Sequence, residues 1–218
     1  MPNWCMTNVT IQTYDKDKAA RFGELLTKWT SKDYRENGFF NHTWLGNIVG
    51  NSGLATYDET KGSFFTKDGV NIRCRGSLDD WTVDDDCIHL FMSHAWSPML
   101  RMWRLLVDKY FPEADITFNA EEPGCELYAT NDPYYVGTFY VDAWEVPDEY
   151  KEKMKSLDMN GSDISEYGET EENLRKLLQA LLDTSETDID KLINESNDKL
   201  HWLYIHEWTH AEVMDFDE

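Results

Sequence analysis

The sequence predicts an α+β sandwich, in which helices cover one face of an antiparallel sheet, followed by a mainly helical C-terminal appendage. Three observations predict it. Segments with strand-like alternation of apolar residues are separated by two segments with apolar residues at helical spacing. Turn-forming residues divide the later strands. After Pro147 helical spacing dominates, which predicts two domains, residues 1–146 and 147–218.

The first third of the chain begins with a strand and a helix. "NVTIQTY" (8–14) alternates and predicts a strand, and apolar spacing over about 17–30 predicts an amphipathic helix. The apolar residues of 31–62 show no clear periodicity, which predicts a long loop with an interrupted element. The Asp68-Gly69 pair predicts the turn of a hairpin that joins "GSFF" to "VNIRC".

The middle of the chain supplies the remaining predicted strands of the first domain. Residues 77–86 are predicted to form an acidic turn region. Apolar and polar residues alternate over 87–94, which predicts a strand. Ser97, as N-cap before Pro98, predicts the start of a helix that ends at about residue 111. Three further strands are predicted at 114–120, 125–130 and 136–144.

The appendage is predicted from helical segments. "DEYKEKMKSL" (148–157) and "EENLRKLLQALLD" (171–183) carry helical patterns, the second with a stripe of leucines. Ser185, with Asp188 three positions later, resembles a capping box and predicts the start of another helix.

The charge is strongly negative and unevenly distributed. The formal net charge is −22, and residues 75–218 hold 11 Lys+Arg against 34 Asp+Glu, a net of −23. Such a field repels phosphate backbones, so the sequence predicts no direct nucleic-acid binding by this portion. It attracts basic partners, including proteins that themselves bind DNA or RNA. The alternative is that the acidic surface only keeps the protein soluble.

The remaining composition predicts a cytoplasmic protein. No apolar run approaches the roughly 20 residues of a membrane span, and the N-terminus lacks the basic and apolar regions of a signal peptide. The four cysteines are scattered, which favours buried free thiols and leaves a metal site of distant cysteines as an open alternative. They are Cys5, Cys74, Cys87 and Cys125.

An acidic cluster is the predicted partner-binding site. Its carboxylates, spaced along the chain, could imitate phosphates and occupy a basic cleft, with an indole as apolar anchor. The cluster consists of Asp79, Asp80, Trp81, Asp84, Asp85 and Asp86. The acidic tail from Glu212 to Glu218 is a second such surface. A solvated loop with Trp81 in the core, or a hydrolase with paired carboxylates, are the alternatives.

His206-Glu207-Trp208-Thr209-His210 matches the H-E-x-x-H signature of zinc peptidases, in which two histidines on one helical face bind the metal. The surrounding aromatic and β-branched residues favour a strand, in which the two imidazoles would lie about 13 Å apart. The metzincin spacing places the third ligand at Phe216, which has no ligand atom. The sequence therefore predicts no metal site here.

Residues 158–169, between two predicted helices, partly match a calcium-binding EF-hand loop. Asp158, Asn160, Ser162 and Glu169 fall at ligand positions, but Asp163 stands where the loop needs glycine. An ordinary solvated loop is the preferred prediction, and no cofactor is predicted.

Three segments resemble one family. "MPNWC" (1–5), "SHAWSP" (93–98) and "YFPEADITFNAEEPG" (110–124) are similar to segments of the YubB-like (Api-like) ferredoxin-like domain family of bacteriophages and conjugative plasmids. The resemblance covers about residues 1–145 and implies a ferredoxin-like fold and a phage or mobile-element origin. "GSLDDW" (76–81) departs from the family's Gly-Thr-Lys-Trp-Asp motif, and the resemblance transfers no catalytic residue.

The predicted function is therefore a non-enzymatic acidic binding protein of a mobile element. It would inhibit a basic host protein that handles nucleic acid, as an anti-defence factor of the anti-CRISPR or anti-restriction kind. A zinc-dependent hydrolase built on His206, Glu207 and His210 is the alternative from another class. RNA binding on the sheet is a third, which the charge disfavours.

Overall fold

The computed structural model describes residues 3–35, 42–157 and 164–216. The chain forms two compact units: Met1–Asn131 together with Ala211–Glu218, and Asp132–His210. The sequence instead predicts a boundary after residue 146 and assigns all later residues to one appendage. The difference has two sources: residues 132–146 belong to the second unit, and the last residues return to the first.

The first unit is a mixed α+β structure. In chain order its elements are β1 (Trp4–Gln12), α1 (Lys16–Trp29), α2 (Leu45–Asn51), β2 (Thr56–Asp58), β3 (Ser63–Phe65), β4 (Asn71–Ile72), β5 (Gly76–Asp84), β6 (Cys87–Ala95), α3 (Arg101–Tyr110), β7 (Asp115–Glu122) and β8 (Leu127–Thr130).

The second unit combines three helices with three strands. Its elements are β9 (Phe139–Ala143), α4 (Asp148–Ser156), β10 (Ile164–Glu169), α5 (Glu171–Leu182), α6 (Ile189–Lys199) and β11 (Leu203–Glu207). A last strand, β12 (Thr209–His210), lies at one edge of the main sheet. None of the described helices is both long and apolar enough to span a membrane.

The main sheet has six strands in the order β12-β8-β7-β1-β6-β5, and the predicted α+β class is confirmed. β1 lies between β6 and β7 and is antiparallel to both. A hairpin joins β5 to β6. α3 lies between β6 and β7 in the chain, and α1 lies between β1 and β5; the strands of each pair are not adjacent in the sheet. The strands predicted at 8–14, 87–94, 114–120 and 125–130 are all present in this sheet, with shifted ends.

The described helices of the first unit cover one face of this sheet. The side chains of Cys5, Val9 and Ile11 on β1 are buried, while those of Trp4 and Met6, on the opposite side, are about half exposed. Because alternate residues of a strand point to opposite faces, this pattern defines one buried and one open face. The buried face packs on helix residues that include Phe22, Leu26, Trp103 and Leu106.

α1 begins where the sequence predicts it. Asp15 is the N-cap, and its carboxylate accepts hydrogen bonds from the backbone N–H groups of Asp17 (2.9 Å) and Lys18 (3.1 Å). Gly23 of this helix lets the helix approach the sheet, because a Cβ there would lie 2.7 Å from Cγ2 of Val83 on β5.

Three local predictions are wrong. Residues 77–86, predicted as an acidic turn region, mostly form β5, which is an edge strand; exposed charges are common on such edges. Ser97 does not cap α3, which begins at Arg101 without a side-chain cap. Asp188, rather than Ser185, caps α6 and accepts a hydrogen bond from the N–H of Lys191 (3.3 Å).

The predicted hairpin around Asp68-Gly69 is confirmed. β3 pairs with β4, and the N–H of Thr66 donates to the carbonyl of Val70 at 2.9 Å. With β2 these strands form a separate three-stranded sheet. The preceding stretch, predicted as a long loop, also contains α2, whose Leu45, Ile48 and Val49 are buried.

The second unit has a three-stranded sheet in the order β10-β9-β11 and its own core. β9, which the sequence assigns to the first domain, is the central strand, and its residues are all buried. β10 occupies a segment predicted as a loop between helices. This unit is therefore a mixture of strands and helices, whereas the sequence predicts a mainly helical one.

The cysteines are free thiols, but only two of the four are buried. Burial raises the pKa of Cys5 to about 11 and that of Cys74 to about 12. Cys87 is half-buried and Cys125 is exposed, so the prediction of buried thiols holds only for the first two.

Gly76→Ala is expected to destabilise the protein by about 1–3 kcal/mol. A Cβ at this position would lie 2.4 Å from the backbone carbonyl oxygen of Ser93 and 2.9 Å from Cδ2 of His94. Neither atom can move without disturbing the β5–β6 pairing. Urea unfolding of Gly76→Ala and of the control Thr82→Ala, at an exposed position of the same strand, measures the effect, and equal stability of the two would contradict it.

Candidate protein-binding surface

The open face of the main sheet is the candidate functional surface. We define the open face by the side chains of its strands that point away from the helices, assigned from strand register and burial. On β1, β5, β6 and β7 they are Trp4, Met6, Asn8, Thr10 and Gln12 of β1, Ser77, Asp79, Asp80, Thr82 and Asp84 of β5, Cys87, His89, Phe91 and Ser93 of β6, and Asp115, Thr117, Asn119 and Glu121 of β7.

An apolar stripe runs across the middle of this face. Trp4 is 53% exposed, Met6 47% and Phe91 42%, although β1 and β6, the strands that carry them, each lie between two other strands. Trp4 and Met6 are successive open-face residues of β1, and Phe91 lies diagonally across from Met6 because its direct partner is Asn8. Diagonal pairs on an antiparallel sheet are within reach of large side chains, so the three form one stripe.

A β-bulge increases the number of carboxylates beside the stripe. The β5–β6 register shifts between Leu78 and Asp80, which leaves Asp79 as the extra residue. Asp79 accepts hydrogen bonds from the hydroxyls of Ser77 (2.6 Å) and Ser93 (2.5 Å), and Ser93 lies on the open face. Two consecutive aspartates therefore reach the same side of the strand, which a regular strand does not allow.

Carboxylates flank the stripe on both sides. Asp79, Asp80 and Asp84 lie on β5, and Asp115 and Glu121 lie on β7. The two rows are separated by three strand spacings, about 14 Å. Among the described residues that we assign to the open face there is no lysine or arginine. An apolar centre with a carboxylate rim is suited to a partner that presents positive charges around an apolar patch.

Polar contacts hold the rim and the strands in place. The hydroxyl of Tyr14 donates to Asp115 at 2.5 Å, a hydrogen bond that raises the pKa of Tyr14. Thr10 Oγ1 and His89 Nδ1 lie 3.1 Å apart across the β1–β6 pair. Such cross-strand contacts favour a surface that keeps its shape before it meets a partner.

The structure separates the six predicted partner-binding residues into three groups. Asp79, Asp80 and Asp84 reach the open face. Asp85 and Asp86 form the turn to β6, where Asp85 pairs with Lys16 and the carbonyl of Asp86 accepts a hydrogen bond from the N–H of Thr13 at 2.9 Å.

Trp81 lies on the other side of the strand from these aspartates. It is half-buried and packs against the hydrophobic core of the first unit, in register with Leu90. It therefore does not stand beside Asp80 and Asp84 as an exposed anchor. The exposed aromatic side chains of the open face are Trp4 and Phe91 instead.

Sequence reasoning missed Trp4, Met6, Phe91 and the carboxylates of β7 as parts of one surface. The signal in β1 was available, because "WCMTNVTIQ" alternates over its whole length and places Trp4 and Met6 on the face opposite Val9 and Ile11. What the sequence did not provide is the order of the strands, which brings β5 and β7 to opposite sides of the stripe.

The H-E-x-x-H residues do not have the geometry of a zinc peptidase. His206 lies in β11, opposite Tyr140, and its ring stacks on the ring of Tyr140 with a centroid separation of 6.5 Å. His210 lies in β12, and the predicted strand is confirmed. Trp208 between them is buried, and its ring centroid lies 5.8 Å from that of Tyr135. The two histidines are thus not on one helical turn.

The other metal hypothesis lies partly outside the described residues. Positions 158–163 of the EF-hand-like loop are not described, and 164–169 form β10, paired with β9. Within residues 3–35, 42–157 and 164–216, no group of three or more histidines, cysteines or carboxylates has the arrangement of a metal site.

The acidic tail is described only up to Phe216; Asp217 and Glu218 lie outside the described residues. Its apolar side chains belong to the first unit: Val213 is buried, and the ring of Phe216 meets that of Phe118 edge-on at 5.7 Å. The carboxylate of Asp215 accepts a hydrogen bond from the N–H of Glu212 at 2.7 Å.

Comparison of the chain with protein-family models, with curated proteins and with solved structures gave no match.

Proposed function

We propose that this chain is a non-enzymatic binding protein that places the open face of its main sheet on a basic protein and blocks it. The observation that carries the proposal is the exposed stripe of Trp4, Met6 and Phe91 between two rows of carboxylates. Exposed aromatic residues in the middle of a surface supply most of the affinity of typical interfaces. The surrounding carboxylates select a cationic partner and accelerate association.

The class of partner follows from the charge. Nucleic-acid-binding proteins carry clustered lysines and arginines, and a net charge of −22 attracts them and repels phosphate backbones. We therefore propose a nucleic-acid-handling protein of a bacterial host, such as a CRISPR or restriction component, in the cytoplasm. Occupation of its basic cleft by the rim carboxylates would exclude DNA or RNA.

The origin and the fold family are parts of the same proposal. The strand order β7-β1-β6-β5, with α1 and α3 as the connections, supports a ferredoxin-like first unit. The resemblance of "MPNWC" and "SHAWSP" to a phage and plasmid family supports a mobile-element protein. In the structure these two segments are adjacent, because Trp4 is in register with Ala95 and the N–H of Trp96 donates to the carbonyl of Asn3 at 3.0 Å.

RNA binding on the sheet is the second candidate, and one observation favours it. Aromatic residues exposed on central strands are the positions on which sheet-type RNA-binding domains stack bases. The carboxylate rows oppose it, because they would lie beside the RNA backbone. A gel shift with single-stranded RNA at low salt separates the two, and retardation would favour RNA binding over the proposed function.

The experiment uses the full chain as bait in a bacterial lysate, followed by purification of the captured protein. We expect that partner to be basic, to bind nucleic acid and to lose that nucleic acid when this chain is added. Capture without such competition, or a captured protein with no affinity for nucleic acid, would contradict the proposal.

Neutralising Asp79, Asp80 and Asp84 to asparagine is expected to weaken binding of the purified partner about tenfold or more at low salt, because three rim charges are lost. The matched control, Glu149→Gln with Glu152→Gln and Asp198→Asn, removes the same charge from exposed positions on helices of the second unit. Isothermal titration calorimetry compares the two variants, and equal losses would mean that only the net charge matters.

A further inference from the structure

A second surface, in the second unit, has the chemistry of a cation site. A cleft of about 820 Å³, open to solvent, is lined by Trp144, Glu145, His201, Trp202 and Tyr204. This volume is within the range of roughly 300–1,000 Å³ typical of ligand sites. The described lining residues are two tryptophans, a tyrosine, a histidine and a glutamate, and none of them is a lysine or an arginine.

The sheet of the second unit explains why these rings are exposed. On β9, Val141 and Ala143 point into the core beneath the helices, so Trp144 continues the opposite face. On β11, Tyr204 is opposite Asp142, and the N–H of Trp144 donates to the carbonyl of Trp202 at 3.0 Å. Trp144 and Tyr204 therefore share the face opposite the core, whereas Trp202, which precedes β11, packs against the core and the ring of Tyr150.

These rings remain accessible to a ligand. Trp144 is 61% exposed and Tyr204 48%, with ring centroids 6.3 Å apart and an interplanar angle of 60°. Two inclined aromatic faces of this kind attract a cation through the negative potential above each ring.

The carboxylate of the cleft is held by a strained backbone. Glu145 follows Trp144 directly and has φ of +52°, in the left-handed region that favours glycine. Glycine would meet the backbone requirement with less strain, so the turn alone does not account for glutamate.

The first unit shows how an aromatic ring and a carboxylate together bind a guanidinium group. The guanidinium carbon of Arg35 lies 4.5 Å from the centroid of Tyr57, and its Nη2 lies 2.7 Å from a carboxylate oxygen of Glu59. One aromatic face and one carboxylate thus hold a planar guanidinium by stacking and ion pairing. The cleft offers the same two groups, with additional rings.

We infer that this cleft binds a guanidinium group, namely an arginine side chain presented by a polypeptide. Guanidinium is planar, weakly hydrated and able to stack on an indole while it donates to a carboxylate, whereas an ammonium group is more strongly hydrated and cannot stack. The inference is independent of the proposed function, because all five lining residues belong to the second unit.

The experiment follows the indole N–H signals of the full ¹⁵N-labelled chain by NMR during titration with acetyl-Gly-Arg-Gly-amide. The Trp144 signal is assigned from its loss in Trp144→Phe. We expect saturable shifts of the Trp144 and Trp202 signals. The same peptide with citrulline, which is neutral and similar in shape, is expected to bind at least about fivefold more weakly.

The variants test each group. Trp144→Ala is expected to weaken binding by about 5- to 30-fold, and Glu145→Gln by about 3- to 5-fold. Glu145→Gly should lower affinity similarly while it leaves the Tm unchanged or raises it, because strain is removed. Trp96→Ala, which removes an exposed tryptophan from the first unit, is the control and should bind normally.

Equal affinity for the arginine and citrulline peptides, or an unchanged affinity in Trp144→Ala, would overturn the inference. Free arginine presents the same guanidinium without the flanking peptide groups, and we expect it to bind more weakly than the peptide. Equal binding of the free amino acid would overturn the assignment to a polypeptide side chain.

Discussion

Replacing both Trp4 and Phe91 with alanine is expected to weaken binding of the partner by about 100-fold or more. Central aromatic residues of an interface typically contribute about 2 kcal/mol or more each when truncated, or roughly 30-fold in Kd. Both side chains are about half exposed in the free protein, so the free energy of unfolding should fall by only about 1–3 kcal/mol. Calorimetric titration with the purified partner, together with urea unfolding, measures both quantities.

The control replaces residues of similar exposure elsewhere. Tyr134 is 74% exposed and Val70 39%, and neither lies on the open face. Tyr134→Ala with Val70→Ala should bind the partner as the wild type does. If the control and the double variant were equally affected, or if neither were, the stripe would not be the contact surface.

Acidification is expected to destabilise the protein through His94. This residue is fully buried on the helix-covered face of β6, and burial lowers its pKa to about 3. Its Nδ1 lies 2.9 Å from Thr7 Oγ1, and its Nε2 has no hydrogen-bond partner among the described residues. The folded state therefore holds a neutral imidazole in a site that cannot accommodate the charged form.

The direction of this pH effect on stability follows from proton uptake. The unfolded chain protonates His94 near its ordinary pKa of 6.5, whereas the folded chain does so only near 3. Between these values the unfolded state binds one more proton, so the free energy of unfolding falls as the pH falls. The loss is about 1.4 kcal/mol per pH unit below 6.5, up to roughly 5 kcal/mol at pH 3.

The measurement compares urea unfolding at about pH 7.5 and about pH 5.5 in wild type and His94→Asn. Protonation of surface carboxylates relieves repulsion in both proteins, so the difference between their pH slopes isolates His94. We expect the wild type to lose about 1.4 kcal/mol more than the variant. In the control, His201→Gln at an exposed histidine, the free energy of unfolding should change with pH as it does in the wild type. If His94→Asn showed that same pH dependence, the prediction would be contradicted.

Sequence patterns located the elements of the first unit with most success where one face of a strand is buried. β6 and β7 alternate cleanly because helices cover one side of the sheet, and α1 has both an apolar stripe and the Asp15 cap. β5 escaped recognition because an edge strand can carry aspartates on successive residues where a bulge breaks the alternation. β9, buried on both faces, was recognised as a strand but not assigned to the right sheet.

The candidate surface was only partly predictable, because it is assembled by tertiary structure. Charge pattern alone located Asp79, Asp80 and Asp84. It could not show that Trp81 turns toward the core while Trp4 and Phe91, 87 positions apart in sequence, approach each other through the pairing of β1 with β6. The aromatic cleft likewise depends on the pairing of β9 with β11, whose residues are distant in the chain.

The central claim, that carboxylates around an apolar stripe hold a cationic partner, is tested most directly by the salt dependence of Kd. The measurement covers about 50 to about 300 mM NaCl for wild type and for the Asp79→Asn, Asp80→Asn, Asp84→Asn variant. The account predicts that Kd rises steeply with salt for the wild type and less steeply for the variant. A wild-type Kd that does not depend on salt, or a slope that the three substitutions leave unchanged, would contradict it.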